Sequence, residues 1–127
     1  LQNCTDLWNS LGIHFEVVNI CTGDMGTVAA KKYDLEAWIP GANQYKEIVS
    51  CSNCTDYQAN RLSIRYGQPG HPNQPIVHTL NSTAVATSRA LVAIMEQYQL
   101  EDGRVAIPEV LQPFMGGQTV LEPCNWG

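Results

Sequence analysis

Two runs of alternating residues, joined by one short connection, limit most strongly what this chain can fold into. In "KKYDLEAWI" (31–39), Tyr33, Leu35, Ala37 and Ile39 share one face of an extended strand, with Asp34, Glu36 and Trp38 on the other. A period of two marks a strand with one dry face and one face given to solvent or function. "YKEIVSCS" (45–52) follows Pro40-Gly41 and the turn "GANQ", and so short a link makes the two strands antiparallel neighbours. "IHFEVVNI" (13–20) reads as an earlier strand, "IVHTLNS" (76–82) resumes the sheet, and "VAIP" (105–108) is a short final strand before Pro108 opens a terminal turn.

Helices back this sheet. In "TAVATSRALVAIMEQYQL" (83–100), Ala84/Val85, Ser88, Leu91/Val92, Met95 and Tyr98 recur at helical spacing, and Gly103 in "EDGR" supplies the stop. Leu1, Leu7, Trp8 and Leu11 suit the end of an amphipathic helix. "DYQANRLSIRY" (56–66) reads as a short helix with Thr55 or Asp56 as N-cap, and the Pro- and Gly-rich "GQPGHPNQP" (67–75) as a surface loop. The sum is an α+β chain: an antiparallel sheet flanked by helices, in one domain of 127 residues. The tail "EPCNWG" carries no pattern.

Composition excludes several functions. With 44% hydrophobic and 15% charged residues the chain is globular, and no apolar run approaches the ~20 residues of a membrane span. Seven scattered Lys and Arg against twelve Asp and Glu leave no clustered cations to follow a phosphate backbone, so an RNA partner would be held by another segment. The start "LQNCTDLWNSLG" has neither signal-peptide character nor an initiator Met, as though cut from something longer. Five cysteines (4, 21, 51, 54, 124) make an odd count at irregular intervals, unlike a disulfide framework. Cys51-x-x-Cys54 lacks the second pair of a four-ligand zinc site, and the Asn-x-Ser/Thr triplets at Asn3, Asn53 and Asn81 read as chance.

Polar groups forced into the sheet are the functional candidates. Glu47 and Ser50 lie on an otherwise apolar strand, Asn81 and Thr83 where a strand runs into a helix, and Arg89 six residues further on. Mg²⁺ prefers carboxylate and phosphate oxygens, and Arg grips phosphate with a planar fork. Together they resemble a nucleotide triphosphate site built without a Gly-rich loop, since no P-loop, GxGxxG or HExxH pattern is present.

The stretches "AAKKYDLEAWIPG", "YKEIVSCSNCTDYQANRLSIRY" and "HTLNSTAVATSRALVAIMEQYQLEDGRVAIPEVLQPFMGG" resemble the C-terminal part of the catalytic domain of seryl-tRNA synthetases, from about residue 10 to residue 117. The block from "TLNS" to "PEVLQP" resembles motif 3 of class II aminoacyl-tRNA synthetases. The resemblance implies a class II fold and a two-step reaction, serine and ATP giving seryl-adenylate before transfer to tRNA-Ser, in a cytoplasmic or organellar homodimer. It implies that Glu47, Ile48, Val49 and Ser50 line the ATP site, with Glu47 and Ser50 reaching Mg²⁺. Arg89 would be the motif 3 arginine on the ATP phosphates, and Thr83, aided by Asn81, would contact serine. Cys51 and Cys54 flank these positions and need not bind anything themselves.

The family's N-terminal tRNA-binding arm, motif 1 dimer element and motif 2 hairpin have no counterpart in residues 1–127. Three readings follow: a fragment or one chain of a split synthetase, a non-catalytic binding or regulatory module, or a ligase that charges a carrier protein. The first is favoured because Glu47, Ser50, Thr83 and Arg89 are all present, and a non-catalytic module has no need of a phosphate clamp. It requires that Glu47 and Arg89 converge in the folded domain.

Overall fold

Four strands form one antiparallel sheet in chain order: β1 (Phe15–Asn19), β2 (Lys31–Ile39), β3 (Gln44–Thr55) and β4 (Thr79–Ser82). The computed structural model describes residues 1–124; residues 125–127, at the end of the tail, lie outside them. The β2–β3 hairpin is at the centre. Its connection is one 3-10 turn, Pro40–Ala42, closed by Asn43 at φ 48, ψ 44, a left-handed conformation that Asn tolerates. β4 covers only Cys51–Thr55 of β3, so residues 44–50 have no strand on their outer edge among the described residues.

Three helices accompany the sheet: α1 (Gln2–Ser10), α2 (Tyr57–Leu62) and α3 (Thr87–Gln97). The core gathers Trp8, Leu11 and Ile13 from the N-terminal segment, Leu35, Ala37 and Ile39 from β2, Ile48 and Val49 from β3, and Ala90 and Ala93 from α3. Trp8 is fully buried, and its indole N–H donates to the Ala84 carbonyl at 3.0 Å, tying α1 to the chain that enters α3.

The packing of α3 differs from its apparent amphipathic pattern. Leu91, Val92 and Met95 are 62%, 50% and 51% exposed, whereas Ala90 and Ala93 are buried. Small residues let the helix lie close to the sheet, and Gln97 fixes it there. The Gln97 side-chain amide donates to the carbonyls of His14 (2.9 Å) and Trp38 (2.8 Å) and accepts from the His14 N–H (2.7 Å). A polar residue satisfied on three sides therefore sits on the inward face, and the larger apolar stripe faces out.

Elsewhere the expected elements are present with shorter bounds. "IVHTLNS" contributes only Thr79–Ser82, with Ile76 in an isolated bridge to Arg65. Asp56 stands at the start of α2, but its carboxylate accepts from Asn60 instead of capping the backbone. β5 (Val105–Ala106) pairs with an unanticipated β6 (Val120–Leu121), and the 3-10 helix Glu109–Met115 lies between them.

Candidate functional site

A β-bulge builds the candidate site. In a regular strand Glu47 and Ser50, three residues apart, would point to opposite faces. Here Leu35 pairs with Val49 but Glu36 pairs with Glu47, leaving Ile48 as the extra residue. Ile48 and Val49 both enter the core, at 2% and 1% exposure. Glu47 and Ser50 are opposite Glu36 and Asp34, two residues apart on β2, and so share the face away from the core. Ile48 and Val49 thus offer a ligand on that face only their backbone, whereas Glu47 and Ser50 offer oxygen-bearing side chains.

Arg89, near the start of α3, reaches around the uncovered edge of β3. Its Nη1 lies 2.6 Å from Glu47 Oε1 and donates to the Glu47 carbonyl oxygen at 3.1 Å. Both side chains remain substantially exposed. They line a groove of about 490 Å³ with Ile39, Lys46, Ile48 and Val92, at the place where α3 overhangs the edge. The required convergence of Glu47 and Arg89 is met in the structure.

Asn81 pairs with Ser52, which pairs with Lys32, so the register aligns Asn81 with the Ser50 and Glu47 face. Thr83 is exposed one residue beyond β4. Neither borders the groove; Asn81 borders a second cavity of about 260 Å³ that includes Cys51 and Ser82.

Two features of this face escaped the reading of the sequence. Glu36 stands directly across from Glu47, an opposed pair of acids that favours a nearby cation, and Arg89 answers only one of them. Asp34 is buried at 3% exposure, with Lys32 Nζ at 3.5 Å from one carboxylate oxygen and no partner for the other among the described residues. The parity of "KYDLEAW" puts both acids on the outward face, but their partners across the sheet come only from the register. Cys51 and Cys54 do not meet each other; Cys54 is buried, and the sulfur beside Cys51 belongs to Cys4.

The model of the class II tRNA synthetase core domain (G, H, P, S and T) matches residues 1–98. The chain belongs to that family. Serine–tRNA ligases of Archaeoglobus fulgidus and Methanocorpusculum labreanum are each 60% identical to it, over 91% and 95% of its length. The chain spans only 26% and 29% of those relatives. Seryl-tRNA synthetase of Pyrococcus horikoshii, solved in complex with ATP, superimposes with a TM-score of 0.92 at 54% identity, covering 98% of this chain and 28% of that one. The cytoplasmic serine–tRNA ligase of Naegleria fowleri, solved with AMP, gives 0.90 at 50% identity over 98% of this chain and 29% of its own. The antiparallel sheet with flanking helices is therefore a class II synthetase fold, part of a catalytic core.

Proposed function

We propose that this chain is the C-terminal part of the catalytic domain of a serine–tRNA ligase. The convergence of Arg89 on Glu47 at the groove carries the reading, and the identity with serine–tRNA ligases supports the choice of amino acid. In the first step the serine carboxylate attacks the α-phosphorus of ATP, giving seryl-adenylate and pyrophosphate; in the second the seryl group passes to the 3′ end of tRNA-Ser. Arg89 releases Glu47 and stabilises the negative charge that builds on the departing phosphates. Thr83 and Asn81, at the end of β4, hold serine. The work of this half-site is placement and electrostatics, with no protein nucleophile.

Mg²⁺ fits the donor set. Glu47 and Ser50 supply hard oxygens on one face, beside the second acid, Glu36. No cluster of three or more His, Cys, Asp or Glu side chains gathers at metal-holding positions among the described residues. Two such donors suit an ion that keeps several waters and takes its other ligands from phosphates. Bound there, Mg²⁺ would neutralise phosphate charge as pyrophosphate leaves.

The tRNA contacts, the α-phosphate arginine of motif 2 and the dimer element belong to the remaining part of the synthetase, and the working enzyme is a cytoplasmic homodimer. Among the described residues no helix is long and apolar enough to cross a membrane. The test is serine-dependent ATP–pyrophosphate exchange, followed by charging of tRNA-Ser, with and without the remaining half. Activity only with both halves is the expected outcome. No exchange in either case would indicate a non-catalytic module, and charging of a carrier protein over tRNA would indicate the other ligase class.

A further inference from the structure

Three side chains from three elements meet under the end of β4. Cys4 Sγ of α1 lies 3.9 Å from Cys51 Sγ of β3, and Ser82 Oγ of β4 is 3.7 Å from the first sulfur and 3.1 Å from the second. Cys4 is buried; Cys51 is half-buried and borders the 260 Å³ cavity, several times the ~30 Å³ share of a water molecule. The thiols are 47 residues apart in sequence, so the fold alone brings them together. Their sulfurs are in contact, and rotation about the side-chain bonds is needed to close them to the ~2.05 Å of a disulfide. The other cysteines are differently placed: Cys54 is buried, while Cys21 and Cys124 are exposed.

We propose that Cys4 and Cys51 form a reversible dithiol modification site that a two-electron oxidant such as hydrogen peroxide converts to a disulfide. The half-buried Cys51 reacts first. Its sulfur attacks one peroxide oxygen, the O–O bond breaks, and the second oxygen leaves as water with the thiol proton, giving a sulfenic acid. Cys4 sulfur then attacks Cys51 sulfur; the S–S bond forms, the S–O bond breaks, and a second water carries off the Cys4 proton. Two thiols lose two electrons and one peroxide becomes two waters. The product ties α1 to the centre of the sheet and removes the Cys51 thiol from Ser82. A dithiol reductant restores both thiols by exchange.

Full-length synthetase containing this chain is titrated with hydrogen peroxide, alkylated without reduction and mapped by mass spectrometry. Expected is a cross-link between the Cys4 and Cys51 peptides, 2 Da below the sum of the free thiols and lost on reduction, with fragmentation between Cys51 and Cys54 placing the bond. Cys51→Ser should abolish it. Cys21→Ser, at an exposed position with no folding role, should leave it intact. The unaltered protein decides the matter even where a variant folds poorly. Absence of the cross-link at peroxide levels that oxidise exposed Cys21, or a bond running to Cys54 instead, would overturn the proposal.

Discussion

Arg89 Nη1 and Glu47 Oε1 stand 2.6 Å apart across 42 residues of sequence, joining the first turn of α3 to the uncovered edge of β3. The two side chains are 52% and 40% exposed, and an ion pair in that setting contributes about 0–1 kcal/mol to stability. Removing Arg89 should therefore hardly disturb the fold. Arg89→Ala in the full-length enzyme is expected to keep its urea midpoint and lose roughly 10²-fold in serine-dependent ATP–pyrophosphate exchange. An unchanged exchange rate would take Arg89 out of the chemistry and leave it a surface partner of Glu47.

Deleting Ile48 removes the bulge, together with a core side chain and one backbone unit of the proposed ATP site. The remaining register, Glu47 opposite Glu36, Val49 opposite Leu35 and Ser50 opposite Asp34, becomes a regular ladder in which Glu47 and Ser50 still share a face. Loss of the buried isoleucine should cost about 2–5 kcal/mol in urea denaturation, with exchange activity lowered but retained. Ile48→Val, which keeps the residue count and loses one methylene, should cost about 0.5–1.5 kcal/mol and remain active. A folded deletion with no exchange at all would show that the bulge does more than set the face of Glu47 and Ser50.

Trp8 fills the space between α1 and the sheet. Trp8→Ala should cost about 3–5 kcal/mol in chemical denaturation, from lost burial and the cavity left behind. Trp8→Phe retains much of the apolar contact but leaves the Ala84 carbonyl without its donor, a further loss of about 1 kcal/mol within that change. A near-neutral Trp8→Ala would place the core elsewhere.

Gly12 is required by both conformation and space. It stands at φ +67, and a β-carbon there would run into the Tyr98 hydroxyl, which donates to the Leu11 carbonyl at 2.7 Å. Gly12→Ala is expected to destabilise by about 2 kcal/mol from the left-handed backbone and the clash together. Tyr98→Phe alone should cost about 1 kcal/mol. Combining them should cost less than the sum, because removing the hydroxyl relieves the clash; strict additivity in thermal unfolding would refute the contact.

The hairpin was legible because its period of two survives over most of β2, and the outward parity of Asp34 and Glu36 correctly marked the face that carries Glu47. The bulge was not, since an extra residue inside "EIVS" leaves no mark in a run where both Ile48 and Val49 belong in the core. α3 is recognisable as a helix, but its inward face is not: alanines and a glutamine do not register as a packing surface when Leu91, Val92 and Met95 offer a stronger stripe. Gln97 is satisfied by backbone groups of His14 and Trp38, 83 and 59 residues away, and such tertiary pairing is invisible to local pattern. The site residues came from polar side chains in an apolar setting together with family resemblance, and proximity in space joined Arg89 to Glu47. The pairing of Cys4 with Cys51 likewise depends on α1 lying across the sheet.

The first half of β3 ends the sheet with a row of amide and carbonyl groups that no neighbouring strand meets among the described residues, below a helix whose Leu91, Val92 and Met95 look outward. Anyone grafting this unit into a different scaffold would inherit that unfinished border. Unless the new host brings a complementary strand and a greasy cover of its own, copies of the graft will find each other instead.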